Sequence, residues 1–154
     1  MTTYSIAPDD LTSRDVRDLL THHLREAREW SPACKVHALP LERLQEPEVA
    51  FFVARDGEAL AAIGALKALD AQRGELKSMR AAPDYRGKGA GKAILLHLIQ
   101  EARARGMAWL GLETGNTEPF APARQLYCKH GFAVCDAFGD YVSDDFSLCM
   151  EKHL

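Results

Sequence analysis

The stretch Pro83-Asp84-Tyr85-Arg86-Gly87-Lys88-Gly89-Ala90-Gly91-Lys92 constrains this chain more than any other. Glycines stand at alternate positions 87, 89 and 91, and a helical pattern with Ile94, Leu95, Leu98, Ile99 and Ala102 on one face follows directly. Glycine lets a ligand approach the backbone closely, and the free N–H groups of a first helical turn attract an anion. Arg86, Lys88 and Lys92 add the charge that a phosphate takes beyond main-chain donors. The stretch predicts a phosphate-binding turn between a strand and a helix. The bland alternative is a glycine-rich surface loop that only starts a helix.

Spacing narrows the ligand. A nucleoside-triphosphate loop of the form G-x-x-x-x-G-K-[ST] fails, because Lys92 stands five residues after Gly87 and Ala93 follows. A dinucleotide fingerprint fails too, because Lys92 and Ile94 occupy the places of its third glycine. What remains is Arg-x-x-Gly-x-Gly over Arg86 to Gly91, behind an Ala-x-Pro at Ala81 to Pro83.

Around this turn the pattern alternates. A short strand over 4–7 precedes a helix whose stripe is Val16, Leu19, Leu20 and Leu24, ended by Ser31-Pro32, and 41–45 reads as a further helical piece. Strands over 49–54 and 59–69 flank the Asp56-Gly57 hairpin turn, and 75–81 is the next strand. Then come a helix over 89–105 stopped by Gly106, a strand over 109–114, a helix over 119–130 stopped by Gly131, and strands over 132–137 and 146–151. The order implies an α/β (α+β) fold: a mixed sheet with helices on its faces. With 154 residues, 47% hydrophobic and 27% charged, the expectation is one domain over 1–154.

Composition also excludes. A formal charge of −3 gives no basic field for a nucleic acid, and no apolar run is long enough for a membrane span. Cys34, Cys128, Cys135 and Cys149 form no C-x-x-C pair, which argues against a zinc knuckle or disulfide scaffold and for reduced thiols in a cytoplasmic protein. His22, His23 and His37 read as surface or packing residues rather than metal ligands.

The Arg86–Gly91 turn and a second motif, Ala123-x-x-Leu126-Tyr127-x-x-x-Gly131-Phe132, together resemble the GNAT superfamily of acyl-CoA-dependent N-acetyltransferases. The resemblance covers about residues 45 to 137. It implies a mostly antiparallel mixed sheet with a central, splayed parallel strand pair and helices on both faces. It implies acetyl-CoA as co-substrate, with no metal. The main chain of Met79, Arg80 and Ala81 would pair with the pantetheine arm, and Arg86, Gly87, Lys88, Gly89, Ala90, Gly91 and Lys92 would cradle the diphosphate. It further implies direct transfer, in a ternary complex, to a primary amine of a small molecule or peptide. One position departs from the family: many members carry Asn seven residues before the tyrosine, where Phe120 stands here, and the nearest asparagine is Asn116.

Attack on a thioester needs a neutral amine, yet a lysine-like amine with a pKa of about 10.4 is almost wholly protonated near neutrality, so a carboxylate must take its proton. By resemblance Glu75 and Glu113 are the candidates, singly or sharing a water; each could instead be a strand-end carboxylate paired with Lys77 or Arg80. Alternation places Glu75 on one face with Lys77, Met79 and Ala81. Tyr127 is the candidate acid for the departing thiolate, or else packs with Phe120, Ala123 and Leu126. Cys128 points away from it and is no nucleophile.

For the acceptor, Asp136, Asp140, Asp144 and Asp145 would attract a cation or form a solvated loop, while Lys77 and Arg80 would hold a carboxylate. The alternative of another class is a non-catalytic acyl-CoA-binding sensor, against which Glu75, Glu113 and Tyr127 all count. Pairing of two copies into a homodimer is compatible with the sequence but not specified by it.

Overall fold

The computed structural model describes residues 3–30, 40–139 and 141–154. Among them the order is β1 (Ser5–Pro8), α1 (Arg14–Trp30), α2 (Leu41–Leu44), β2 (Val49–Asp56), β3 (Ala59–Ala68), β4 (Arg73–Ala81), α3 (Ala90–Ala104), β5 (Trp109–Gly115), α4 (Ala121–Lys129), β6 (Ala133–Cys135) and β7 (Ser147–His153). One sheet in the order β1-β2-β3-β4-β5-β7-β6 joins all seven strands. Every neighbouring pair is antiparallel except β4 and β5. The mixed sheet with a central parallel pair is the one expected from the sequence. The Ser31-Pro32 stop, Cys34, His37 and Asp140 lie outside the described residues.

Both faces of the sheet are covered, which is why β2 is apolar throughout instead of alternating. Phe51 and Val53 point with Ile63 and Ala65 toward Val16, Leu19 and Leu20 of α1 and Leu44 of α2. Phe52, Ala54, Ala62, Leu66 and Leu76 point the other way, onto Ile94, Leu95, Leu98 and Ile99 of α3 and Tyr127 of α4. Leu24 does not join the buried stripe of α1; that line ends in Glu26, 8% exposed.

Two irregularities shape the centre. The parallel pairing of β4 and β5 has only the rungs Arg73↔Trp109, Gly74↔Leu110 and Glu75↔Gly111, after which the strands run apart. In β4, Ser78 adopts φ +54°, and the register against β3 shifts between Ile63 and Ala65. A β-bulge of this kind inserts one residue and inverts the phase of alternation beyond it. The expected face-sharing of Glu75 with Met79 and Ala81 is thereby corrected. Met79 packs with Leu76 on the α3 side, its sulfur against the Gly64 backbone, while Arg80 emerges on the α1 side, where it meets His23 and Glu26.

Candidate active site

The glycine-rich turn begins with a single 3-10 turn over Pro83–Tyr85. Gly87 and Gly89 follow with φ of +73° and +81°, a region that side chains with a Cβ avoid. A Cβ added at either would meet nothing within 4 Å, so the turn faces open space. Gly89 is the N-cap of α3 with no side-chain cap, and Ala93 N is the first amide to bond back, 3.0 Å to Gly89 O. The helix thus presents uncapped N–H groups and its positive dipole end outward. The Tyr4 hydroxyl donates to Lys88 O at 2.7 Å, and Tyr85, with Lys88 Nζ 5.6 Å from its ring centroid, donates to Asp56 at 2.9 Å. Tyr4, just before β1, and Asp56, at the end of β2, thus brace the turn; neither follows from the motif itself.

Beyond the last rung at Glu75, the edge of β4 that faces β5 has no strand partner among the described residues. Met79, Arg80 and Ala81 lie along that edge, on the way from the rung to the turn.

Glu75 is 4% exposed, on the α1 side of the sheet at the point of divergence. Its Oε2 accepts from the Tyr141 hydroxyl at 2.5 Å and from Lys77 Nζ at 3.3 Å, and Lys77 Nζ also donates to the Tyr141 oxygen at 2.6 Å. Burial, then the Glu75 charge, pushes the Tyr141 phenol far above its ordinary value, so it is a firm donor. Tyr141 is held by Phe138, whose ring centroid lies 5.1 Å from that of Trp109 and 5.3 Å from that of Tyr141, so these rings pack over this end of β5. Glu113 lies on the same side and accepts a hydrogen bond from the Ser147 hydroxyl, with Cys149 opposite it in β7. Burial raises the Cys149 thiol, and Glu113 and Glu75 add to the rise, which places both carboxylates and the thiol in one electrostatic neighbourhood.

Tyr127 is 6% exposed, its ring 5.8 Å from Phe132. Burial pushes its hydroxyl up to about 12, against a weaker downward pull from Arg80. Of the packing partners that the alternative reading gave it, Ala123 and Leu126 join its cluster and Phe120 does not. The sequence continues the helix back through 119, but a 3-10 turn occupies Glu118–Phe120 and breaks the phase. Phe120 lies instead against the Gly115 backbone and, 5.3 Å away, the Trp30 ring. Arg124 fixes that turn by donating to Gly115 O at 2.9 Å and Thr117 O at 2.8 Å. Cys128 is exposed, turned away from Tyr127 as expected.

Several polar groups considered for the acceptor are already engaged. Asp144 Oδ1 accepts from the amides of Phe146 and Ser147, and the Asn116 side chain donates to Asp144 O at 3.1 Å. Arg80 Nε donates to His23 Nδ1 at 3.0 Å, which fixes the neutral tautomer of His23 with its proton on Nε2. Burial first, then the charges of Arg80 and His22, lowers His23 to about 3.

Comparison with known proteins bears on the fold and the family. The acetyltransferase (GNAT) family model matches residues 15–132. YsnE of Bacillus subtilis (strain 168), named an uncharacterized N-acetyltransferase, is 47% identical over 146 residues, covering 95% of this chain and 97% of its own. YedL of Escherichia coli (strain K12), named likewise, is 45% identical over 144 residues, covering 94% and 91%. A GNAT family acetyltransferase from Elizabethkingia anophelis, solved with acetyl-CoA bound, superposes with a TM-score of 0.73 at 17% identity over 100% of both chains, a likeness of fold. With the family model spanning most of the chain and relatives near half identity over nearly its whole length, the protein belongs to the GNAT family of N-acetyltransferases.

Proposed function

We propose that the protein transfers the acetyl group of acetyl-CoA directly to a primary amine of a small molecule or peptide, bound where β4 and β5 diverge. One observation carries this reading: an uncapped, glycine-built helix start and a buried carboxylate stand at opposite ends of the same unpaired strand edge. The Arg86–Lys92 turn receives the diphosphate through main-chain N–H groups and basic side chains, and the pantetheine arm runs along Met79, Arg80 and Ala81 as an added strand would. This lays the thioester toward Glu75.

Glu75 is the preferred base. Both of its protein donors go to Oε2, so among the described residues Oε1 is left for the incoming ammonium or for a water that relays its proton. Glu113 is the alternative, acting through such a water, but its carboxylate already accepts from Ser147. Once the amine is neutral it attacks the acyl carbon, the C–N bond forms as the C–S bond breaks, negative charge collects on sulfur, and the proton that the nitrogen sheds passes to the departing thiolate. Tyr127 supplies a hydrogen bond to that sulfur. With the phenol near 12 and a thiol near 8.5, complete proton transfer runs uphill, so stabilisation by donation is the role that suits it.

Mixing the protein with acetyl-CoA and a panel of amines, and following release of free thiol, tests the reading. Turnover with at least one amine is the expected result. Uptake of acetyl-CoA with no thiol released from any amine would instead favour a binding sensor.

A further inference from the structure

The inward line of α1 changes character along its length. Val16 and Leu19 begin it, and His23, Glu26 and Trp30 continue it at the same alternating spacing of three and four residues. Glu26 is thus a carboxylate with its side chain 10% exposed on the packed face of a helix, where an unpaired charge would be costly. It is not unpaired. Oε1 accepts from Arg86 Nη2 at 2.8 Å and touches His22, and Oε2 accepts from Arg80 Nη1 at 3.3 Å. Arg80 is itself fixed by His23 and by the Trp30 ring, 5.3 Å from its guanidinium carbon. Glu26 is therefore a rigid post.

Arg86 is the opposite kind of residue: its side chain is 50% exposed, and it opens the glycine-rich turn. Free, such a chain must surrender substantial rotamer entropy before it can meet an anion. Glu26 holds it by Nη2, and among the described residues the remaining donors of the fork stay available.

We propose that Glu26 is a positioning residue for the donor substrate: from α1 it holds Arg86 over the turn in the orientation that grips a diphosphate. The inference rests on reading that turn as the diphosphate cradle. It assigns α1 a part in cofactor binding that neither motif contains.

Calorimetric titration of the full chain with coenzyme A tests it, comparing wild type, Glu26→Gln, Arg86→Ala and the double variant. Glu26→Gln should weaken the affinity by about three- to five-fold, the scale of a half-exposed charged pair. In the Arg86→Ala background the same change should cost almost nothing, because the route through Arg86 is gone. Equal affinity of wild type and Glu26→Gln, or a full additional loss in the double variant, overturns the proposal; the second outcome would mean that Glu26 acts through general support of the fold. Arg86→Lys, which leaves Glu26 intact, provides a separate check. It keeps the charge but cannot engage Glu26 and phosphate together, so it should lose a similar factor, and wild-type affinity there also overturns the proposal. Failure of the wild type to take up coenzyme A at all would strike the cradle reading first.

Discussion

In the proposed transfer, Glu75 and Tyr127 divide the work by where their atoms sit. The carboxylate has one oxygen engaged by Tyr141 and Lys77, and the phenol is buried against the Phe132 ring. Glu75→Gln should lower kcat by about 10²- to 10⁴-fold while leaving acetyl-CoA affinity within a factor of about two, measured by steady-state kinetics and calorimetry. Tyr127→Phe should lower kcat by roughly ten-fold. Because burial holds that phenol near 12, it keeps its proton throughout the working range; any basic limb of the rate profile below about pH 10 should survive in the phenylalanine variant. His23 yields a stability prediction of fixed sign. Its pKa falls from 6.5 to about 3 on folding, so the unfolded chain binds the extra proton between those values, and stability present above 6.5 drains away as pH falls toward 3. Replacing His23 with Asn should flatten the dependence of Tm on pH across that window. At this scale the sequence reveals groups that belong to a local motif, such as Tyr127 or Gly89. It conceals Tyr141 and Glu26, whose importance comes from partners about sixty positions away.

Strand β4 illustrates what an element hides. Read by alternation, Glu75, Lys77, Met79 and Ala81 share a face; the bulge at Ser78 sends Met79 into the core and Arg80 to the site. Nothing in the composition of 75–81 announces that extra residue, since serine is not a usual left-handed residue. Element type and order were otherwise readable, because apolar periodicity and the turn glycines at 57, 106 and 131 each take the positive φ that ends a hairpin or helix. Ser78→Gly should hold or raise stability by up to about 1 kcal/mol, and Ser78→Val should lower it by about 1 to 2 kcal/mol, read from urea unfolding, since a β-branched residue is poorly suited to that backbone.

At the scale of the molecule the β4–β5 ladder stops at Glu75 between two covered faces, and filling the gap beyond it should be visible in the fold's stability. Acetyl-CoA at a hundred times its Kd should stabilise the protein by about 2.7 kcal/mol and raise Tm by about 5 to 10 °C in differential scanning calorimetry. Gly89→Val, which places a side chain in the open space of the turn and strains its φ of +81°, should show no such rise. The short ladder between β4 and β5 has a consequence of its own. A row of unsatisfied main-chain groups on the rim of a sheet is a template for neighbouring chains and an invitation to fibre growth. Here the row lies in the middle of the sheet, with α1 on one side and α3 on the other. The architecture can keep such a row permanently open, ready for a guest, without offering aggregates a seam.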